Sequence, residues 1–192
     1  MSTVRLLVLG SMLRRGVSHG YGVYNDLTTW RAETWTNVKP GSIYHALEKL
    51  EAQGLTRAEA SEIHVKLGPS RTEYSVTEQG KAEFESLLRS ALQSFEIQTF
   101  AVGIAFMDML PRGEVIRLLL DRASALKESA SFLRTLPTEE MPSEPSKHPE
   151  LTGLWENYVS SELSYTLNLI TKLEAGKYRF LGNRPIMGRA DR

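Results

Sequence analysis

Cysteine is absent from the 192 residues. That excludes disulfides, thiolate metal sites and a cysteine nucleophile, and it agrees with a reducing compartment. No apolar run approaches the roughly 20 residues needed to span a bilayer as a helix. At the N-terminus, Arg5 and the Arg14-Arg15 pair bracket an apolar run broken by Gly10 and Ser11, which is not the architecture of a secretory signal. A cytoplasmic protein with no membrane partner is expected. A surplus of charge is lacking too, with 23 Lys and Arg against 23 Asp and Glu and a net charge of +0. Strong nucleic-acid binders commonly carry a basic surplus. Any such role must therefore rest on where the cations lie.

The constellations of catalysis are also missing. The four histidines, His19, His45, His64 and His148, are scattered, and none forms a His-x-x-x-His pair. There is no Gly-rich phosphate loop after a strand and no Gly-x-Ser-x-Gly elbow. Asp108 and Glu114 flank Leu110-Pro111 and invite an acid-base reading. Acidic residues are common in first helical turns, so a solvated helix boundary accounts for them better. No enzyme activity, metal or cofactor is expected.

What is present is a strong local pattern. In Lys39-Pro-Gly-Ser-Ile-Tyr-His-Ala-Leu-Glu-Lys-Leu-Glu-Ala-Gln-Gly-Leu55, Pro40 suits the first helical position and Gly54 the position just past the end. Ile43, Leu47 and Leu50 recur between them at helical spacing. The other face carries Ser42, His45 and Lys49 with Tyr44 beside them, groups suited to base edges and phosphates in a major groove. This is the pattern of a recognition helix. Lys39 stands where a helix is best capped by a hydrogen-bond acceptor, and it adds positive charge at the positive end of the dipole. Either Lys39 meets a phosphate, or Asn37 caps the helix and Lys39 points into water.

After Gly54 the pattern alternates. Thr56 to Lys66 and Arg71 to Val76 are separated by Gly68-Pro69-Ser70 and read as a β-hairpin, with Lys66 and Arg71 beside its tip. Those two cations would meet a duplex backbone or minor groove, unless Arg71 pairs with Glu73 or Glu62. Thr77 is placed to cap the next helix. A helix-turn-helix followed by such a hairpin is a winged helix.

At this level the sequence resembles the PadR-like family of transcriptional regulators. The resemblance is carried by Leu6-Leu-Val-Leu-Gly10, His19-Gly-Tyr-Gly22, Pro40-Gly-Ser-Ile-Tyr44, Leu47, Leu50-Glu51, Gly54-Leu55, Arg71, Tyr74 and Thr77-Glu-Gln-Gly80. It covers roughly the first half of the chain. The second half is similar in layout to the long C-terminal helical domain of one branch, with Leu110-Pro111-Arg112 entering a long helix. Lys39 departs from the family's usual Ser or Thr before the Pro-Gly pair, and His45 from its usual proline or small residue. The resemblance implies a homodimer, double-stranded DNA with a pseudo-palindromic operator as partner, and a small aromatic effector.

The rest of the chain reads as helices. One from Thr3 to Arg15 is apolar on most sides, and a second follows His19-Gly-Tyr-Gly22 and runs towards Trp30. Tyr21 and Tyr24 either touch a DNA backbone or pack under the first helix. A helix from Thr77 is expected to continue through Phe95 to Leu110, and a longer one follows Pro111 with Leu119, Leu126 and Leu133 on its stripe. A proline-rich mobile loop, Leu136 to Pro149, precedes the last helix, where Leu151, Leu154, Trp155, Tyr158, Tyr165, Leu169 and Leu173 line one side. So broad an apolar face predicts a homodimer.

The expected fold is mainly α with a small β-hairpin wing. A winged helix-turn-helix over 1–93 precedes a helical dimerisation and effector domain over 94–180 and a basic, flexible tail over 181–192. DNA contacts are expected from Tyr24, Lys39, Ser42, Tyr44, His45, Lys49, Lys66 and Arg71. Trp30, Trp35 and Trp155 are the candidates for an aromatic effector. The function expected is a homodimeric repressor; the alternative is a winged-helix protein-interaction module that does not bind DNA.

Overall fold

The computed structural model describes residues 3–36, 38–59, 72–136 and 149–180. The chain divides into two compact units, Met1–Phe106 and Met107–Arg192. The first runs α1 (Thr3–Arg15), β1 (Ser18–His19), α2 (Gly20–Thr29), α3 (Ala32–Trp35), α4 (Pro40–Ala52), β2 (Thr56–Glu59), β3 (Glu73–Val76), α5 (Glu78–Leu92) and α6 (Ile97–Phe106). The second holds a 3-10 turn (Met107–Met109), α7 (Arg112–Leu133) and α8 (Pro149–Glu174). The mainly helical class with a small antiparallel sheet is as expected. The hairpin tip Gly68-Pro69-Ser70, its flanking Lys66 and Arg71, Asn37, the Pro-rich loop and the tail 181–192 lie outside the described residues.

In the first unit α1 is the centrepiece. Leu6 through Met12 are all buried, as the apolar surround of this helix requires. Gly10 is the point of closest approach, because a Cβ there would lie 2.5 Å from the Phe106 ring of α6. That ring also meets Phe84 of α5 edge-on at 5.8 Å. Since α6 packs on α1 and α5 in this way, the compact division falls after Phe106 and not at 93/94.

The expected continuous helix from Thr77 to Leu110 is two helices. Its interruption is made by side chains that take up backbone donors. Ser94 Oγ accepts from Glu96 N–H at 3.1 Å, and the Glu96 carboxylate accepts from Gln98 and Thr99 N–H at 2.9 and 2.6 Å. Those bonds start α6 afresh.

The recognition helix α4 buries Ile43, Leu47 and Leu50 and stops as its sequence predicts. Gly54 takes a left-handed φ of 69°. Its N–H donates to Glu51 O at 2.8 Å and Leu55 N–H donates to Leu50 O at 2.9 Å, the paired bonds of a Schellman ending. The sheet order is β1-β3-β2, all antiparallel. Thr56 opposes Val76 and Glu59 opposes Glu73, while Ser18 opposes Tyr74 on the other edge. Thr77 then joins both systems. Its N–H donates to Leu55 O at 3.0 Å, its hydroxyl donates to Gly54 O at 2.8 Å, and the same oxygen accepts from Gly80 N–H at 3.1 Å.

In the second unit α7 buries Val115, Leu118, Leu119, Arg122, Ala123, Leu126 and Ala130, and α8 buries Val159, Thr166, Leu169, Ile170 and Leu173. Arg122 is only 1% exposed. Its guanidinium donates to Thr166 Oγ1 and to the Glu162 carboxylate, so the charge is both paired and hydrogen-bonded, as burial demands. Leu119, Leu126 and Leu169, expected to hold a dimer, are already buried in the single chain.

Removing one member of the buried pair should cost far more than removing both. Arg122→Met is expected to lower stability by about 3–5 kcal/mol by stranding Glu162, while Arg122→Met with Glu162→Leu recovers most of that loss. Urea unfolding of the two variants measures it. Equal losses would mean that the charges are not coupled.

Candidate nucleic-acid interface

The exposed arc of α4 follows from its period. With about 100° per residue, the buried Ile43, Leu47 and Leu50 place Gly41, His45, Glu48 and Ala52 opposite the core, flanked by Tyr44 on one side and Lys49 on the other. All six are exposed, and so is Lys39 at the helix start. Of the expected contact residues, Lys39, Tyr44, His45 and Lys49 thus share one accessible face. Lys66 and Arg71 fall outside the described residues.

Ser42 stands differently. Lys39 occupies the cap position without a side-chain cap bond, since an ammonium has no acceptor to offer. Ser42 Oγ compensates by accepting from Lys39 N–H at 3.1 Å and donating to Lys39 O at 2.6 Å. Its hydroxyl hydrogen, expected at a base edge, is spent on holding the first turn. The alternative cap, Asn37, lies outside the described residues.

Beside α4 lies an aromatic row. Tyr24 stacks on Tyr44 with centroids 6.4 Å apart, and Tyr21 tilts against Tyr24 at 6.2 Å. Tyr21 and Tyr44 are exposed while Tyr24 is half-buried between them, so Tyr24 supports the row from within. A cleft of about 360 Å³ opens next to it, lined by His19, Gly20, Tyr21, Tyr44, Leu47, Glu48, Thr72 and Tyr74. Gly20 lets α2 approach α4, because a Cβ there would lie 3.1 Å from Leu47 Cδ1 and 3.4 Å from Tyr44. His19 Nε2 sits 3.3 Å from Glu73 Oε1 across the β1–β3 pairing. Glu73, one candidate partner for Arg71, therefore faces a histidine.

Two cations at the end of α1 are engaged by the fold. Arg15 makes a two-point contact with the Asp26 carboxylate, which also accepts from Ser11 Oγ at 2.7 Å. Arg14 donates to Ala105 O at 2.8 Å and lies over the Trp30 and Phe106 rings at 5.7 and 5.0 Å. The tryptophans named for an effector are similarly engaged. Trp35 Nε1–H donates to Trp30 O at 3.1 Å, and Trp30 meets Phe106 edge-on at 5.7 Å. In the second unit Trp155 is exposed and lies edge-on to Tyr158 at 5.6 Å.

Sequence reasoning passed over Glu48, Gly20 and the His19–Glu73 contact. The signal for Glu48 was available, because it falls on the outward arc between Tyr44 and His45 once the buried positions are fixed. Among the described residues no cluster of three or more His, Asp or Glu is set to hold a metal, and no helix is long and apolar enough to cross a membrane.

Residues 8–86 match the model of the Transcriptional regulator PadR-like family, the family that the sequence motifs resemble. Among solved structures the chain is similar to Bacillus subtilis PadR in complex with operator DNA, at 23% identity over 91% of this chain and 97% of that one, with a TM-score of 0.40. It is similar also to the PadR-like transcriptional regulator BC1756 from Bacillus cereus, at 18% identity over 90% and 99% with a TM-score of 0.35. A third is smu.1604c from Streptococcus mutans UA159, at 22% identity over 90% and 97% with a TM-score of 0.37. No curated protein sequence matches the chain.

The Arg15–Asp26 contact gives a pH signature. The hydrogen bond from Arg15, helped by the one from Ser11, outweighs burial and holds the Asp26 carboxyl below the usual carboxylate range. A depressed folded pKa stabilises above the unfolded value of about 3.9 and loses that stabilisation as pH falls through the folded value. Asp26→Asn should therefore be less stable than the parent by about 1–3 kcal/mol at neutral pH, with the gap closing in acid. Thermal unfolding of both proteins between neutral and strongly acidic pH checks this. A gap independent of pH would contradict it.

Proposed function

We infer from the family match of residues 8–86 that the chain is a PadR-like, DNA-binding transcriptional regulator, and we propose that it acts as a homodimeric repressor in the cytoplasm. The observation that carries the DNA reading is the outward arc of α4, where Lys39, Tyr44, His45 and Lys49 are exposed on a helix fixed at its far end by Thr77. Lys39 and Lys49 supply phosphate contacts, and His45 and Tyr44 approach base edges in a major groove. Lys66 and Arg71 add wing contacts that carry little sequence information. Tyr24 acts by buttressing Tyr44. No catalytic residue is assigned.

Dimerisation is supported by the apolar surface of the second unit. Phe132 is 64% and Leu154 65% exposed, and Leu151, Trp155 and Tyr165 are exposed beside Leu154 on α8. A surface of that kind calls for a partner. A two-fold dimer would set two recognition helices about 34–36 Å apart, one turn of duplex, and so match a pseudo-palindromic operator. Two weakly charged subunits then bind tightly together where one alone would not. A small aromatic effector that releases the repressor finds a better lining along α8 than at the engaged tryptophans Trp30 and Trp35. Tyr165 and Tyr178 there share a groove of about 400 Å³ with Ser161, Ser164, Asn168, Leu169 and Lys172.

Two measurements test this reading. The logarithm of duplex affinity should fall linearly with the logarithm of salt concentration, and Lys39→Ala should reduce the slope by about one unit while weakening all sequences alike. A flat salt dependence would favour the protein-interaction alternative. For the dimer, Leu154→Glu with Trp155→Glu alters only exposed positions, so the fold should persist while sedimentation reports a monomer. Operator affinity should then drop by about two orders of magnitude. A variant that remains dimeric would remove α8 from the interface.

A further inference from the structure

The most outward-facing charge on the recognition helix is negative. Glu48 lies on the side of α4 away from the buried Ile43, Leu47 and Leu50, its side chain is 79% exposed, and its carboxylate stands 3.8 Å from His45 Nδ1. That separation is longer than a hydrogen bond, so the carboxylate keeps its acceptor capacity. Glu48 and Lys49 lie on opposite sides of the outward line, each about 50° from it with His45 between them, so a docked α4 would bring the carboxylate within reach of the groove floor on the Tyr44 side. A duplex carries about one negative charge per 1.7 Å of its axis, and a carboxylate pressed against it is repelled unless a base donates a hydrogen bond to it.

Only two groups on the major-groove edge donate, cytosine N4 and adenine N6. An ionised carboxylate is an acceptor at both oxygens. At adenine the N6 donor is flanked by the N7 acceptor, whose lone pair opposes the second carboxylate oxygen. At cytosine the neighbouring edge is a C–H, and no acceptor of the same base opposes the charge.

We propose, resting on the DNA-binding reading above, that Glu48 is a specificity-determining residue that accepts a hydrogen bond from cytosine N4 and so fixes one C·G pair in each half-site. The same carboxylate discriminates against the acceptor edges of guanine and thymine by leaving its charge unanswered, and against adenine by setting its second oxygen against N7, which is selection by repulsion as much as by attraction. His45, three residues earlier on the same face, keeps its own place at a base edge beside the carboxylate.

The test is selection from a randomised duplex library at fixed salt, followed by sequencing, with the full-length protein, Glu48→Ala and Glu48→Gln. The parent should enrich a site with one C·G position preferred by about tenfold over the other pairs. Glu48→Ala should lose the preference at that position alone and bind random duplex at least as tightly as the parent, because a repulsive charge is gone. Glu48→Gln should shift the preference there towards A·T, since an amide matches adenine N6 and N7. Enrichment of one identical site by all three proteins would overturn the role of Glu48 and leave the DNA reading standing. Failure of the parent to bind any duplex would overturn both.

Discussion

The carbonyl oxygens of Gly54 and Leu55, at the C-terminal end of the recognition helix, are where the first unit is tied together. Both accept from Thr77, whose own hydroxyl oxygen caps α5 through Gly80 N–H. The helix that presents the docking face, the strand that follows it and the helix that packs beneath are thereby fixed to one residue. Gly80 is part of the same constraint. A Cβ at that position would lie 2.0 Å from Leu55 O and 2.8 Å from Val76 Cγ1, so a side chain there must push α5 off the sheet. Gly54, left-handed and closing the Schellman pair, turns the chain so that Leu55 can meet Thr77 at all. Rigid placement matters because base readout depends on side chains held in register with a groove, and a helix anchored at its far end projects its N-terminal half as a fixed lever.

Charge is distributed to match. Arg14 and Arg15 follow one another at the end of α1, yet both turn to protein partners, one over aromatic rings and the other onto Asp26. Arg57 on β2 pairs with Glu59 at 3.0 Å. The cations left on the outward arc of α4 are few, and Glu48 and Lys49 stand on either side of its middle. A face so arranged gains modestly from phosphates in general and depends on what lies in the groove. The balanced total of the sequence is therefore compatible with the proposed DNA binding, in which discrimination by an acid and affinity from two subunits would replace a broad basic surface.

How legible these features were follows from the kind of force behind each. The limits of α1, α4 and α5 are written in local chemistry: Pro40 at a start, Gly16 and Gly54 at ends, Thr77 as a cap. Sequence alone suffices for such features because the deciding atoms lie within a few residues of each other. The break before α6 was hidden because Gln93-Ser-Phe-Glu96 contains no Gly or Pro. It is made by Ser94 and Glu96 accepting backbone hydrogens, a choice that polar side chains within helices usually decline. Ser42 was legible as a polar residue on α4 but not as the group that replaces a missing cap, which needed the bonding of Lys39. The protein partners of Arg14 and Arg15, both exposed, were illegible for a similar reason, since Asp26 and Ala105 are remote in sequence.

The second unit shows the limit most clearly. Residues of α8 are apolar on two stripes, one with Val159, Leu163, Ile170 and Leu173, the other with Leu154, Tyr158 and Tyr165. At about 100° per residue these stripes are centred roughly a third of a turn apart. Hydrophobicity alone scarcely chooses between them. The Arg122 guanidinium adds a preference: it is enclosed on α7 and donates to both Glu162 and Thr166 in the observed setting. Rotating α8 by that third of a turn to bury Leu154 and Tyr165 would keep Glu162, midway between the stripes, within reach. It would carry Thr166 about 100° from the inward line, so its hydrogen bond to the guanidinium would be lost. The polar contact at Arg122 thus adds little to the depth of the core and more to its uniqueness. By favouring one stripe as the inward one it also leaves Leu154 and Tyr165 at the surface, and the apolar surface of α8 is thus set by a polar contact that never reaches it.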